Sequence, residues 1–147
     1  QLIESKDGTT SRKKIQRIVA EHPVTEIVAR GKAIYIPSDK SVIMSAAGVA
    51  KSDYPYANFI ISHENALWCP TRWQGQTSCP PYYEPRFSPN ALVGYGLCQA
   101  TPGSKMASAG GDWQTNPVTQ MRWCSGYASR YGGWSGAYEF WLGHGWW

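Results

Sequence analysis

The chain has 147 residues, 42% of them hydrophobic, and a net charge of +4, which allows one domain of ordinary size with a small appendage. No run approaches the roughly 18 to 20 apolar residues that span a bilayer, and the polar start QLIESKDGTT lacks a signal-peptide pattern, as a mature or excised piece would. Residues 1–52 hold nine Lys/Arg against five Asp/Glu, whereas 53–147 hold five of each, so the aromatic-rich half has no basic excess and nucleic acid is disfavoured as a partner. In chain order, residues 1–33 alternate in strand fashion through Ile15, Ile18, Val24, Ile27 and Val28, with a turn signal at Asp7-Gly8. A strand pair of this kind buries too little surface to be stable alone, so it belongs to a larger β module.

Through DGTTSRKKI, EHPVTEIVARG and the closing Gly31, this stretch resembles the C-terminal part of a G-five type domain, a small β module found beside wall-degrading enzymes. The resemblance covers about 30 residues and implies an adhesive or spacer element. Its basic excess is then a solvated face, or a surface that attracts anionic wall polymers. Residues 34–40 form a linker, and Ser38 or Asp39 caps a helix over SVIMSAAGVAK. Asp53 caps a second helix with Pro55 in its first turn, and Tyr56, Phe59, Ile60 and Ile61 lead to Glu64 at its end.

Residues 66–93 form a long loop rich in Pro, Gly and aromatics, which is ordered if the cysteines are paired. Cys69, Cys79, Cys98 and Cys124 allow three connectivities; the ten-residue spacing of Cys69 and Cys79 suggests a local staple, leaving Cys98 with Cys124. Disulfides place a protein outside the cytosol. GYGLCQATPGSKM then predicts a tight Gly-rich turn and a helix at about 103–109, Asn116-Pro117 opens another helix, and GAYEFWLGHGWW closes the chain as a last helix with an aromatic tail. All eight tryptophans follow position 67, the composition of a carbohydrate cleft, where flat rings stack on sugars.

A carboxylic acid that delivers a proton near neutral pH needs apolar surroundings, which penalise its charged form. Glu64 ends the apolar run FIISHE, with Trp68 one helical turn onward as a candidate cleft wall. ISHENALW at 61–68 resembles the catalytic-Glu segment of soluble lytic transglycosylases and goose-type lysozymes, with Asn65 where those families commonly have Ser. GYGLCQATP fits their Gly-Leu-x-Gln-x-x-Pro pattern at Gly96, Leu97, Gln99 and Pro102, and the separation of about 35 residues fits as well. SKMASAGGDWQTNPVTQMRWCSGYASRYGGW and the terminal HGWW resemble secreted wall-lytic domains related to resuscitation-promoting factors.

The resemblance implies an α+β, mainly α, lysozyme-like domain over 41–147, with Glu64 as acid/base and Gln99, Tyr95, Asn65, Trp113 and Tyr138 as substrate-binding residues. Gln99 would donate to sugar or backbone, and Gly94 and Gly96 would let substrate approach the main chain. It implies cleavage of peptidoglycan glycan strands between N-acetylmuramic acid and N-acetylglucosamine by a secreted or wall-associated monomer, needing no cofactor and no membrane insertion. No residue stands out as a second catalytic carboxylate; Glu84 and Asp112 are the only other acids between 65 and 138. Scattered His22, His63 and His144 give no metal-ligand spacing. Anhydro-forming cleavage, hydrolysis of the same bond, and noncatalytic glycan binding are the readings that follow.

Overall fold

The computed structural model describes residues 39–147, so the expected β module at 1–33 and most of the linker lie outside the described residues. Within them the architecture is mainly helical. Helix α1 (Lys40–Ala46) begins where the Asp39 carboxylate accepts the Ser41 backbone N–H at 2.8 Å and its hydroxyl at 2.7 Å. It stops five residues before the expected Lys51 because Gly48, at φ +82°, takes the left-handed position, with Gly48 N–H bonding Ser45 O and Val49 N–H bonding Met44 O. That paired bonding satisfies the last carbonyls of the helix and turns buried Val49 into the core.

A 3-10 turn, Lys51–Asp53, leads into α2 (Tyr54–Glu64). Asp53 holds the capping position but makes no capping bond; its backbone already follows the helical turn instead of the extended conformation of a capping residue. Ala57, Ile60 and Ile61 form the buried stripe of α2, all with 0% exposure.

No helix or strand occurs from 66 to 102, only turns and two isolated antiparallel bridges, Trp73 with Tyr95 and Tyr95 with Ala100. The Cys69–Cys79 disulfide closes the first part of this loop, and Cys98–Cys124 ties its last part to α3, which is the pairing expected from spacing. A 3-10 segment, Gly103–Ala109, precedes α3 (Pro117–Ala128), capped by Asn116 Oδ1 accepting from Val118 N at 2.9 Å. Another short 3-10 turn leads to α4 (Trp134–His144), which packs along α2. Among the described residues no helix is long and apolar enough to cross a membrane.

Two apolar clusters result. The larger joins Ile43 and Met44 of α1, the α2 stripe, Met121, Cys124 and Ala128 of α3, Trp134 and Ala137 of α4, and Trp68 and Leu97 from the loop. The smaller lies under the loop and contains Trp73, Tyr95, Ala100, Met106 and Trp113, with Trp123 packed against both.

Fully buried Gln120 on α3 fastens the long loop to this frame. Its amide nitrogen donates to Pro70 O at 2.8 Å and Trp113 O at 2.7 Å, and its oxygen accepts Leu97 N–H at 2.9 Å. Three buried backbone groups depend on one side chain, and each one orphaned costs about 1–3 kcal/mol. Gln120→Leu, similar in volume, is expected to lower unfolding free energy by about 3 kcal/mol or more in urea titrations; a loss below about 1 kcal/mol would contradict this role.

Candidate functional site

The α2 stripe runs Ala57, Ile60, Ile61 and, three and four residues on, Glu64. The acid therefore sits at the inner edge of the helix end and is half-buried. Burial pushes its carboxyl above the ordinary 4.5, while the neighbouring His63 charge pulls in the opposite direction and loses. Among the described residues no donor bonds the Glu64 carboxyl, so nothing there favours its ionised form through hydrogen bonding. His63 lies on another side of α2, exposed, with its ring between Phe59 (4.1 Å) and Trp141 (4.5 Å) and its Nδ1 donating to Phe59 O.

Asn65, next in the chain, connects this helix end to the Gly-rich turn. Its Nδ2 donates to Cys69 O at 2.7 Å and to Gly96 O at 3.0 Å, while Gln99 Nε2 donates to the same Gly96 oxygen at 2.8 Å. One carbonyl thus receives the residue after the acid and the glutamine of the second motif. Gln99 is half-buried with φ +49°, a left-handed backbone that glutamine adopts only at a cost.

Several expected roles change. Asn65 has 0% exposure, spends both amide hydrogens on backbone carbonyls and accepts from Cys69 N, so it is a clamp within the fold and has no group left for substrate. Gln99 donates to backbone, the second of its two expected partners. Tyr95 has 0% exposure, with its hydroxyl donating to Gln114 O at 2.6 Å and burial pushing the phenol well up. Trp113 packs edge-on against Tyr95 at 5.8 Å and is 7% exposed. Both rings are core and offer no open face to a sugar.

Tyr138 of α4 is half-buried against Tyr56 and Phe59 of α2. Trp68 does not continue the helix: α2 ends at Glu64, Trp68 has φ +51°, and its buried ring donates through Nε1 to Ser62 Oγ. Gly94 and Gly96 are required by the protein's own side chains rather than by a ligand. A Cβ at Gly94 would stand 2.9 Å from Gln99 Oε1, and one at Gly96, φ +72°, 2.5 Å from Gln120 Oε1.

The remaining acids of this region serve local structure. Glu84 pairs with Arg86 at 3.0 Å. Asp112 is opposed by desolvation, yet hydrogen bonds from Thr119 and Asn116 hold its carboxyl below the ordinary range. Among the described residues no group of three or more His, Cys, Asp or Glu side chains comes together as a metal site. Sequence reasoning missed Gln120 and Arg72, whose guanidinium approaches Asn65 Oδ1 at 3.5 Å and donates to Gln76 O. Gln120 carried a signal: it lies four residues before Cys124 on the apolar stripe of α3, and a polar side chain there must find buried partners. Arg72 carried none.

The raised carboxyl has a consequence for stability. A group titrating higher in the folded than in the unfolded chain adds stability below its unfolded value and loses it as pH rises through the folded one. Wild type is expected to lose stability relative to Glu64→Gln between pH 4 and pH 7, read as the difference of their urea midpoints; a difference independent of pH would refute the buried acid.

No family model matches the chain, no curated protein matches it, and no solved structure matches it.

Proposed function

We propose that residues 41–147 form a lysozyme-like domain that cleaves peptidoglycan glycan strands between N-acetylmuramic acid and N-acetylglucosamine, acting as a lytic transglycosylase. The observation that carries the proposal is a half-buried Glu64 with a raised carboxyl, joined through Asn65 and Gly96 to the turn that bears Gln99. These are the two segments in which the chain resembles lytic transglycosylases and goose-type lysozymes. The G-five resemblance of residues 1–33 adds a wall-adhesive or spacer element in front. Two disulfides favour an oxidising compartment, in keeping with a secreted or wall-associated enzyme.

Glu64, protonated, gives its proton to the glycosidic oxygen as the bond to the muramic C1 breaks. The N-acetyl group of that sugar stabilises the cationic centre. The Glu64 carboxylate then takes the proton of the C6 hydroxyl, whose oxygen closes onto C1 as a 1,6-anhydro ring and restores the acid. Paired-carboxylate schemes need a partner at about 5 or about 6.5–9.5 Å, and Glu84 and Asp112 are both committed elsewhere, so a single-acid scheme suits the chain better.

Wall-containing zymograms and mass spectrometry of released muropeptides test this directly. The expected result is clearing by the parent, a loss of about 10²–10⁴-fold in Glu64→Gln, and products ending in 1,6-anhydro-muramic acid. Reducing ends would replace transglycosylation by hydrolysis, with water taking the place of the C6 hydroxyl. Equal clearing by both proteins would remove Glu64 from the chemistry, and clearing by neither would leave a glycan-binding module.

A further inference from the structure

A groove of about 480 Å³ opens on the side of α3, lined by Ser108, Ala109, Arg122, Trp123, Gly126, Tyr127 and Arg130. None of these residues belongs to α2 or to the Gly94–Gln99 turn, so the groove shares no lining residue with the Glu64 site. Its size falls in the range of small-ligand pockets, about 300–1,000 Å³.

Three features define what it would bind. The first is charge: Arg122 and Arg130 line the groove and no carboxylate does, and among the described residues neither arginine is in an ion pair. Arg122 feels the charge of Asp112, but that carboxylate is already bonded by Thr119 and Asn116, and Arg122 donates to the exposed Ala46 carbonyl at 3.2 Å. Arg130 lies over the Tyr127 ring at 5.0 Å. Two guanidinium forks suit a carboxylate or phosphate.

The second is an aromatic pair. Trp123 and Tyr127, one helical turn apart, stack with centroids at 5.3 Å and planes 14° apart, each partly exposed. The rings face each other and Arg130 covers Tyr127, so the partly exposed remainder of the pair forms an apolar wall against which a pyranose can lie. A polymer of anionic groups without rings would leave that surface unused.

The third is Gly126. Glycine inside a helix costs about 0.5–1 kcal/mol relative to alanine, and it is usually kept where a neighbour needs the space. Here an added Cβ would meet nothing within 4 Å. Packing therefore does not require this glycine, and a side chain placed there would enter open space among the arginines and rings that line the groove.

We propose that this groove is a second, noncatalytic site for a carboxylate-bearing pyranose saccharide, held by its ring on Trp123 and Tyr127 and by its carboxylate on Arg122 and Arg130. The choice of probe rests on the muralytic reading: the disaccharide of N-acetylglucosamine and N-acetylmuramic acid carries a lactyl carboxylate. Binding is measured by NMR on Glu64→Gln protein, so the result does not depend on whether Glu64 is the acid, and failure of either proposal leaves the other standing.

The free-acid disaccharide is expected to shift the Trp123 indole N–H and the Arg122 and Arg130 Nε resonances. Its affinity should exceed that of the carboxyl-amidated disaccharide at least tenfold and fall as salt rises. Gly126→Glu, whose Cβ meets nothing within 4 Å and which adds a carboxylate to the groove lining, should abolish these shifts, and Gly126→Ala should keep them. Equal affinity for acid and amide, shifts confined to other residues, or unchanged binding by Gly126→Glu would overturn the proposal. So would tighter binding of a glycerol-phosphate oligomer, which has no ring to stack.

Discussion

The Gly96 carbonyl oxygen, shared between Asn65 and Gln99, is the bond on which the site depends. Asn65 follows Glu64 immediately, and its own N–H closes the last turn of α2 onto Ile61 O at 2.7 Å. A distance of 31 residues along the chain is bridged there by one hydrogen bond between buried groups. Buried side-chain amides of this kind are valuable only when every group is satisfied, and Asn65 meets that condition through Cys69, Gly96 and Arg72.

The turn is held from its other side as well. Gly96 N–H bonds Arg72 O, Leu97 N–H bonds Gln120, and Cys98 is bonded covalently to Cys124. Three successive residues are thus fastened to two different parts of the fold, which leaves the following Gln99 little freedom and accounts for its left-handed backbone. The helices supply an apolar frame, but the polar bonds around Gly96 decide where the turn lies relative to the end of α2. Around the long loop, the same economy of one side chain serving several backbone groups replaces the regular ladder that a sheet would provide.

Much of the helical frame was legible from local chemistry. Asp39 and Asn116-Pro117 are start signals whose mechanism is local, and the helices begin where those signals stand. The cysteine pairing followed from spacing, and the apolar run into Glu64 placed the acid on the buried stripe. The end of α1 was misjudged because Gly48 alone, at positive φ, stops a segment whose apolar residues continue to Val49. The roles of Asn65, Tyr95 and Trp113 were not legible. Whether an aromatic ring lines a cleft or fills a core depends on what packs over it, and here the covering residues come from loop segments distant in the chain. For the same reason the glycines at 94 and 96 looked like room for a ligand, whereas Gln99 and Gln120 occupy that room.

Chemically, the arrangement separates an acid whose carboxyl is pushed up by burial from one whose carboxyl is held down by hydrogen bonds, Glu64 and Asp112 respectively. That contrast is the physical basis for giving proton transfer to the first and structure to the second. Carbon-13 NMR titration of the side-chain carboxyls in the intact protein measures it most directly. The account requires the Glu64 resonance to titrate above 4.5 and that of Asp112 below 3.8; a Glu64 midpoint at or below 4.5 would contradict it.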